Sequence, residues 1–177
     1  MPTSLAHEAA ASEFAEIFLE VLRPMGLYDK LYKWGSATRY NDKDYPRYWP
    51  TVVLEVALTE PPSKLMSDIR YWLGQSSRSV EVVVTLQINR NMREIILQNW
   101  QSANSRPHRI QQVTVYKGSN DTIKVDDGPL VIDFEKLFLH PPGTPQEKKN
   151  IGLGDGELQY LATSIWTAQN LDQEDDE

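Results

Sequence analysis

The run Thr51-Val52-Val53-Leu54-Glu55-Val56-Ala57-Leu58 constrains this chain more than any other stretch. Its Val and Leu content demands a strand, and a strand this apolar demands burial. A carboxylate in its middle is costly there unless it is paired, hydrogen-bonded or bound to a metal. Alternate residues of a strand share a face. Val52, Leu54, Val56 and Leu58 therefore form one uniformly apolar face, and Glu55 interrupts the other, between Val53 and Ala57.

The flanking residues predict a mixed α/β or α+β domain with a central sheet and helices against it. Residues 8–23 read as a helix, with Phe14, Ile17, Phe18, Val21 and Leu22 at helical spacing. Residues 27–39 leave room for one short strand, and 40–50 read as a loop crowded with Asn, Asp and Pro. After 51–58, Pro61-Pro62-Ser63 starts a helix to Gly74, with Leu65, Met66, Ile69, Trp72 and Leu73 inward. Strands follow at 80–88 and 93–100 as a hairpin, then a polar loop over 102–107, a strand at 109–118 and a short one at 129–134. Residues 133–138 suggest a helical turn, 140–150 a proline-rich loop, and 155–169 a final helix. Gly152-Leu153-Gly154-Asp155-Gly156 lacks the Lys-Ser/Thr of a phosphate loop and reads as the start of that helix, with Asp155 capping. His7, His108 and His140 have no metal-ligand spacing.

With 177 residues, the chain is long enough for one well-filled domain, expected over 1–170. It has no cysteine, which excludes disulfides and Cys-based zinc sites. No apolar run approaches membrane-spanning length, so no membrane partner is expected. The first residues lack a secretory-signal pattern, and an intracellular location is expected. Five acids, Asp172, Glu174, Asp175, Asp176 and Glu177, make 171–177 an acidic tail that reads as disordered. Removing those five from the net charge of −7 leaves −2. A nearly neutral body does not support non-specific nucleic-acid binding, though a local basic groove stays open.

A strand carrying Glu-Val, a short Thr-Glu-Pro linker, a helix with Asp68 and Trp72, and the Val-rich "VEVVVTLQI" together resemble the core of the PD-(D/E)XK nuclease superfamily, the restriction-endonuclease-like fold. Residues 49–100 are most similar to a group of uncharacterised fungal proteins with a Trp-Pro-strand-Glu-Val pattern. The resemblance implies a Mg²⁺- or Mn²⁺-dependent phosphodiesterase or nuclease. Glu55 would be a metal ligand, and Asp44, with Asp42 as the alternative, the second. The superfamily lysine two residues after the glutamate falls on Ala57 here, so the site is degenerate, and Lys64 on the next helix is the replacement. Glu16 or Glu20 would complete the site. Asp68, Tyr48 and Trp49 are candidate substrate contacts.

Other readings stand beside this one. Arg70, Arg39 or a tyrosine hydroxyl would satisfy Glu55 as a structural residue. Lys64 and Asp68, four apart on a helix, fit an exposed ion pair. Asp42 and Asp44 fit turn formers, and Tyr40, Tyr45, Tyr48 and Trp49 fit loop packing. An inactive relative would serve as an interaction module for a protein partner or a second copy. A third reading is a fold reused to bind or transform a small apolar molecule.

Overall fold

The computed structural model describes residues 4–31, 50–58, 60–75 and 79–174. Helix α1 (Leu5–Leu22) begins where the Ser4 hydroxyl accepts the His7 N–H at 3.2 Å. It ends in a 3-10 turn, Arg23–Met25, closed by Gly26 at φ 71°. That left-handed conformation favours a residue without Cβ.

Strand β1 (Val52–Ala57), helix α2 (Pro62–Gln75) and strand β2 (Val82–Ile88) form a unit whose two strands pair in parallel. The chain then turns back on itself. Strands β3 (Glu94–Ala103), β4 (Arg106–Lys117) and β5 (Ile123–Asp126) each add antiparallel to the one before. The result is a five-stranded mixed sheet in the order β1-β2-β3-β4-β5. A two-stranded antiparallel ribbon of β6 (Leu130–Asp133) and β7 (Asn150–Leu153) follows. Between them lies the short helix α3 (Phe134–Phe138), capped by the Asp133 carboxylate. The last helix, α4 (Asp155–Glu174), runs beyond its expected end at 169.

The sheet has helices on both faces. Val82, Val84, Leu86, Ile95, Leu97, Val113 and Val115 face one apolar cluster with Phe14 and Phe18 of α1 and Leu158, Leu161 and Ile165 of α4. Val53, Ala57 and Val83 face the second cluster, with Leu65, Ile69, Trp72 and Leu73 of α2. The alternation read from Val52 to Leu58 is therefore the one adopted, with Val52, Leu54, Val56 and Leu58 on the α1–α4 side.

The structure differs from these expectations at four places. The 102–107 loop is instead a tight turn at Asn104 and Ser105 (φ 50° and 62°), so β3 and β4 run on to meet it. Left-handed residues at both turn positions match the twist of a two-residue hairpin. Strand β5 was hidden by its shortness and by Lys124 and Asp126 on its exposed side. Residues 150–153 form β7 rather than the lead-in to a helix, and the Glu157 carboxylate, not Asp155, accepts the Gly154 N–H at 3.0 Å. The part of the expected 27–39 strand that is described holds a 3-10 turn, Tyr28–Lys30. Among the described residues no helix is long and apolar enough to cross a membrane.

Candidate site around Glu55

Glu55 sits mid-strand in β1, opposite Thr85 of β2, and points toward α2. It is half-buried. Its partner is none of the candidates named from sequence: the Trp72 indole N–H donates to its Oε1. Arg70 is exposed on the helix, and Arg39 lies outside the described residues. Trp72 reaches Glu55 because it is only 8% exposed, wedged in the α2–sheet cluster, with Tyr71 edge-on at 5.4 Å. An indole N–H can only donate, so the pairing with a carboxylate oxygen is chemically matched.

The first turns of α2 carry the charges closest in effect to Glu55. Lys64 Nζ lies 2.8 Å from Glu60 Oε1 and 3.2 Å from Asp68 Oδ2. Its side chain is 54% exposed. The Lys64–Asp68 pair is thus the surface ion pair that its spacing predicts, extended by Glu60. Hydrogen bonding to Glu60 raises the Lys64 pKa and keeps the ammonium charged.

Burial pushes the Glu55 pKa upward; the Trp72 hydrogen bond opposes this, Asp68 and Glu60 add to it, and Lys64 opposes it. Two acidic neighbours and one basic one thus bear on the carboxylate.

Beyond Glu55, the same sheet face carries a polar row. The register runs Glu55, Thr85, Gln98 and Gln112 across β1 to β4. Gln98 Nε2 donates to Gln112 Oε1 at 2.8 Å, and Arg109 donates to that oxygen at 2.9 Å. Sequence reasoning missed this row, although Thr85 and Gln87 break the otherwise apolar β2 at alternate positions.

Glu16 and Glu20 do not join Glu55. They stand on α1, which packs against the opposite face of the sheet, and Glu20 pairs with Arg23 at 2.7 Å. Asp42, Asp44, Tyr48 and Trp49 lie outside the described residues. Among the described residues no three His, Asp or Glu side chains gather to hold a metal ion. Mg²⁺ does not require such a cage, because it keeps several waters and binds through one or two carboxylates. The carboxylate oxygens of Glu55 are of the hard kind that suits that ion, while those of Glu60 and Asp68 engage Lys64. Two grooves, of about 620 Å³ at the β3–β4 turn and about 740 Å³ between α1 and α4, are open and neither is lined by Glu55.

Comparison of the chain with protein-family models, with curated proteins and with solved structures finds no match.

Proposed function

We propose that the chain is a divalent-cation-dependent phosphodiester hydrolase of restriction-endonuclease-like build, with a reduced site centred on Glu55. One observation carries this reading: a half-buried carboxylate in the sheet, oriented by the Trp72 indole. A cation is the partner that such a group lacks, since binding requires the ionised form and stabilises it. Glu55 would hold Mg²⁺ or Mn²⁺ with Asp44 as the second carboxylate. The ion, when bound, polarises a phosphoryl oxygen and lowers the pKa of a bound water.

The remaining roles belong to the chain's own groups. Trp72 fixes the rotamer of Glu55 and leaves the second carboxylate oxygen for a ligand. Lys64 supplies the positive charge that Ala57 does not, at the solvent side where a phosphate would arrive. Asp68 holds the Lys64 ammonium in place, with Tyr48 and Trp49 as the proposed substrate contacts. Calorimetric titration with MnCl₂ tests the reading. Binding by the wild type, lost in Glu55→Gln, together with Mn²⁺-dependent cleavage of a labelled oligonucleotide, supports it. Absence of Mn²⁺ binding removes it.

A second reading is favoured by Ala57, 6% exposed where the superfamily has its lysine, and by the two carboxylates engaging Lys64. It makes the chain an inactive relative that binds a protein partner or a second copy of itself. Its signature is a stable dimer by light scattering with no heat of cation binding. A site for a small apolar molecule has less support, because the two grooves are open and solvent-facing.

A further inference from the structure

We infer that the chain pairs with a second copy of itself, the β3–β4 hairpin of each copy seated in the groove between α1 and α4 of the other. The inference gives the second-copy reading its two surfaces and is independent of the hydrolase reading.

The hairpin is a cationic arm. Gln101–Ala103 of β3 have no partner on β2, and Arg106–His108 of β4 have none on β5. Among the described residues these two segments pair only with each other, and the turn at Asn104 and Ser105 closes an exposed tip. From Ile95 to Asn120 the sequence has no Asp or Glu, although the chain has 25 of them. Arg106 and Arg109 are exposed, and among the described residues neither joins an ion pair. Ile110, at the base of the arm, is 53% exposed.

The groove is its chemical opposite. It is open and holds about 740 Å³. Glu13, Glu16 and Glu20 of α1 line it at spacings of three and four, so they share one helix face, where like charges repel. Val21 gives it apolar lining, and α4 adds Glu157 and Tyr160. Arg23 answers Glu20 at 2.7 Å, and the Gly154 N–H answers Glu157 at 3.0 Å. Glu13 has no ion pair among the described residues. Tyr160 is 58% exposed. An aromatic face beside carboxylates is a seat for a guanidinium, and the chain already uses that contact where Arg23 lies 3.9 Å from the centre of the Tyr28 ring.

Within one copy the β6–β7 ribbon separates arm from groove. At the base of the arm, Asn99 donates to the Val131 carbonyl at 2.8 Å and Gln111 to the Pro129 carbonyl at 2.6 Å. Strand β6 pairs with β7, and Gly152 of β7 lines the groove. Arm and groove therefore flank the same ribbon. A two-fold axis beside it brings each arm to the other copy's groove and closes the pair with two identical contacts. Opposite potentials facing one another set the register of such a contact.

The test is sedimentation velocity of the full chain over a range of protein concentrations. The wild type is expected to form a dimer at about 50 mM NaCl and to dissociate towards about 500 mM, where exposed charges are screened. Arg106→Glu and Glu13→Arg, each alone, should raise the dimer Kd about tenfold or more. Mixed in equal amounts, the two variants should recover the wild-type Kd, because each mixed pair has one native contact and one with its charges exchanged. That recovery also shows both variants to be folded. A wild type that stays monomeric overturns the inference and the second-copy reading together. A dimer indifferent to salt or to both substitutions overturns the inference alone and places self-association on another surface. Weakening without recovery in the mixture overturns it as well.

Discussion

Thr85 on β2 and Gln98 on β3 stand opposite each other on the α2 face of the sheet, and the Thr85 hydroxyl donates to Gln98 Oε1 at 3.3 Å. The same oxygen accepts from Gln87 Nε2 at 3.3 Å and from the Trp100 indole at 3.1 Å. Three donors thus converge on one acceptor with two lone pairs. Gln98→Leu removes that acceptor and strands the fully buried Thr85 hydroxyl. Urea unfolding is expected to show a loss of about 1–3 kcal/mol. Gln98→Glu keeps an acceptor and should lose less at neutral pH; equal losses would place the effect in shape rather than in hydrogen bonding.

The second prediction concerns pH. The folded-state pKa of Glu55 is raised, chiefly by burial. In the interval between its ordinary value, about 4.3, and the raised one, the folded chain binds more protons than the unfolded chain. Its contribution to stability therefore declines as pH climbs through that interval and is lowest above the folded pKa. Glu55→Gln abolishes the titration. Its stability relative to wild type should rise from pH 4 upward and then level off, as read by urea midpoints across pH 4–8. A difference independent of pH would contradict the assignment.

For Lys64, exposure limits the effect. Its ion pairs with Glu60 and Asp68 lie at the surface, where pairs contribute about 0–1 kcal/mol. Lys64→Met should change stability by less than about 1 kcal/mol. It should also push the Glu55 pKa further up, since Lys64 holds it down. Carbon-detected NMR titration of the Glu55 carboxyl is the measurement, and a downward movement would show the charges to be wrongly placed.

Leu139 ends α3 at φ 60°, with its N–H bonded to the Glu135 carbonyl at 2.9 Å. A side chain in this left-handed position costs about 1 kcal/mol, and Leu139 is 64% exposed, so it gains little by packing. Leu139→Gly is expected to stabilise the protein by about 0.5–1 kcal/mol in thermal unfolding. A decrease would reveal a packing role for the leucine.

Ile69 anchors α2 at 1% exposure. Ile69→Ala should cost about 2–5 kcal/mol. Trp72 lies one turn further along the same helix, so its fluorescence should change as the helix loosens. An unaltered spectrum with full loss of stability would separate the two residues.

The long apolar periods were legible. Val and Leu alternation in β1 and β2, and the helical spacing of Leu65, Ile69, Trp72 and Leu73, identify both elements and the side on which Glu55 lies. Short elements were not. Strand β7 carries a turn signal at Gly152, with Gly154 just past its end, and only two buried residues, Ile151 and Leu153. Its pairing with β6 comes from tertiary contact that local preference does not encode. The Glu55 partner was missed for a related reason. Trp72 fits its apolar stripe so well that its one polar atom is easily overlooked, although a buried indole N–H seeks an acceptor.

Glu55 also bears on how β1 finds its place. Slipping β1 by one residue along β2 would exchange its two faces. The carboxylate would then enter the cluster beneath α1 and α4, where Val82, Val84 and Leu86 are 0% exposed. One acid in an otherwise interchangeable run of Val, Leu and Ala therefore makes the misaligned arrangement unaffordable. Replacing it with valine should let β1 occupy two alignments, visible as doubled amide resonances for Val52–Ala57, and a single set would show that the helix alone dictates the pairing.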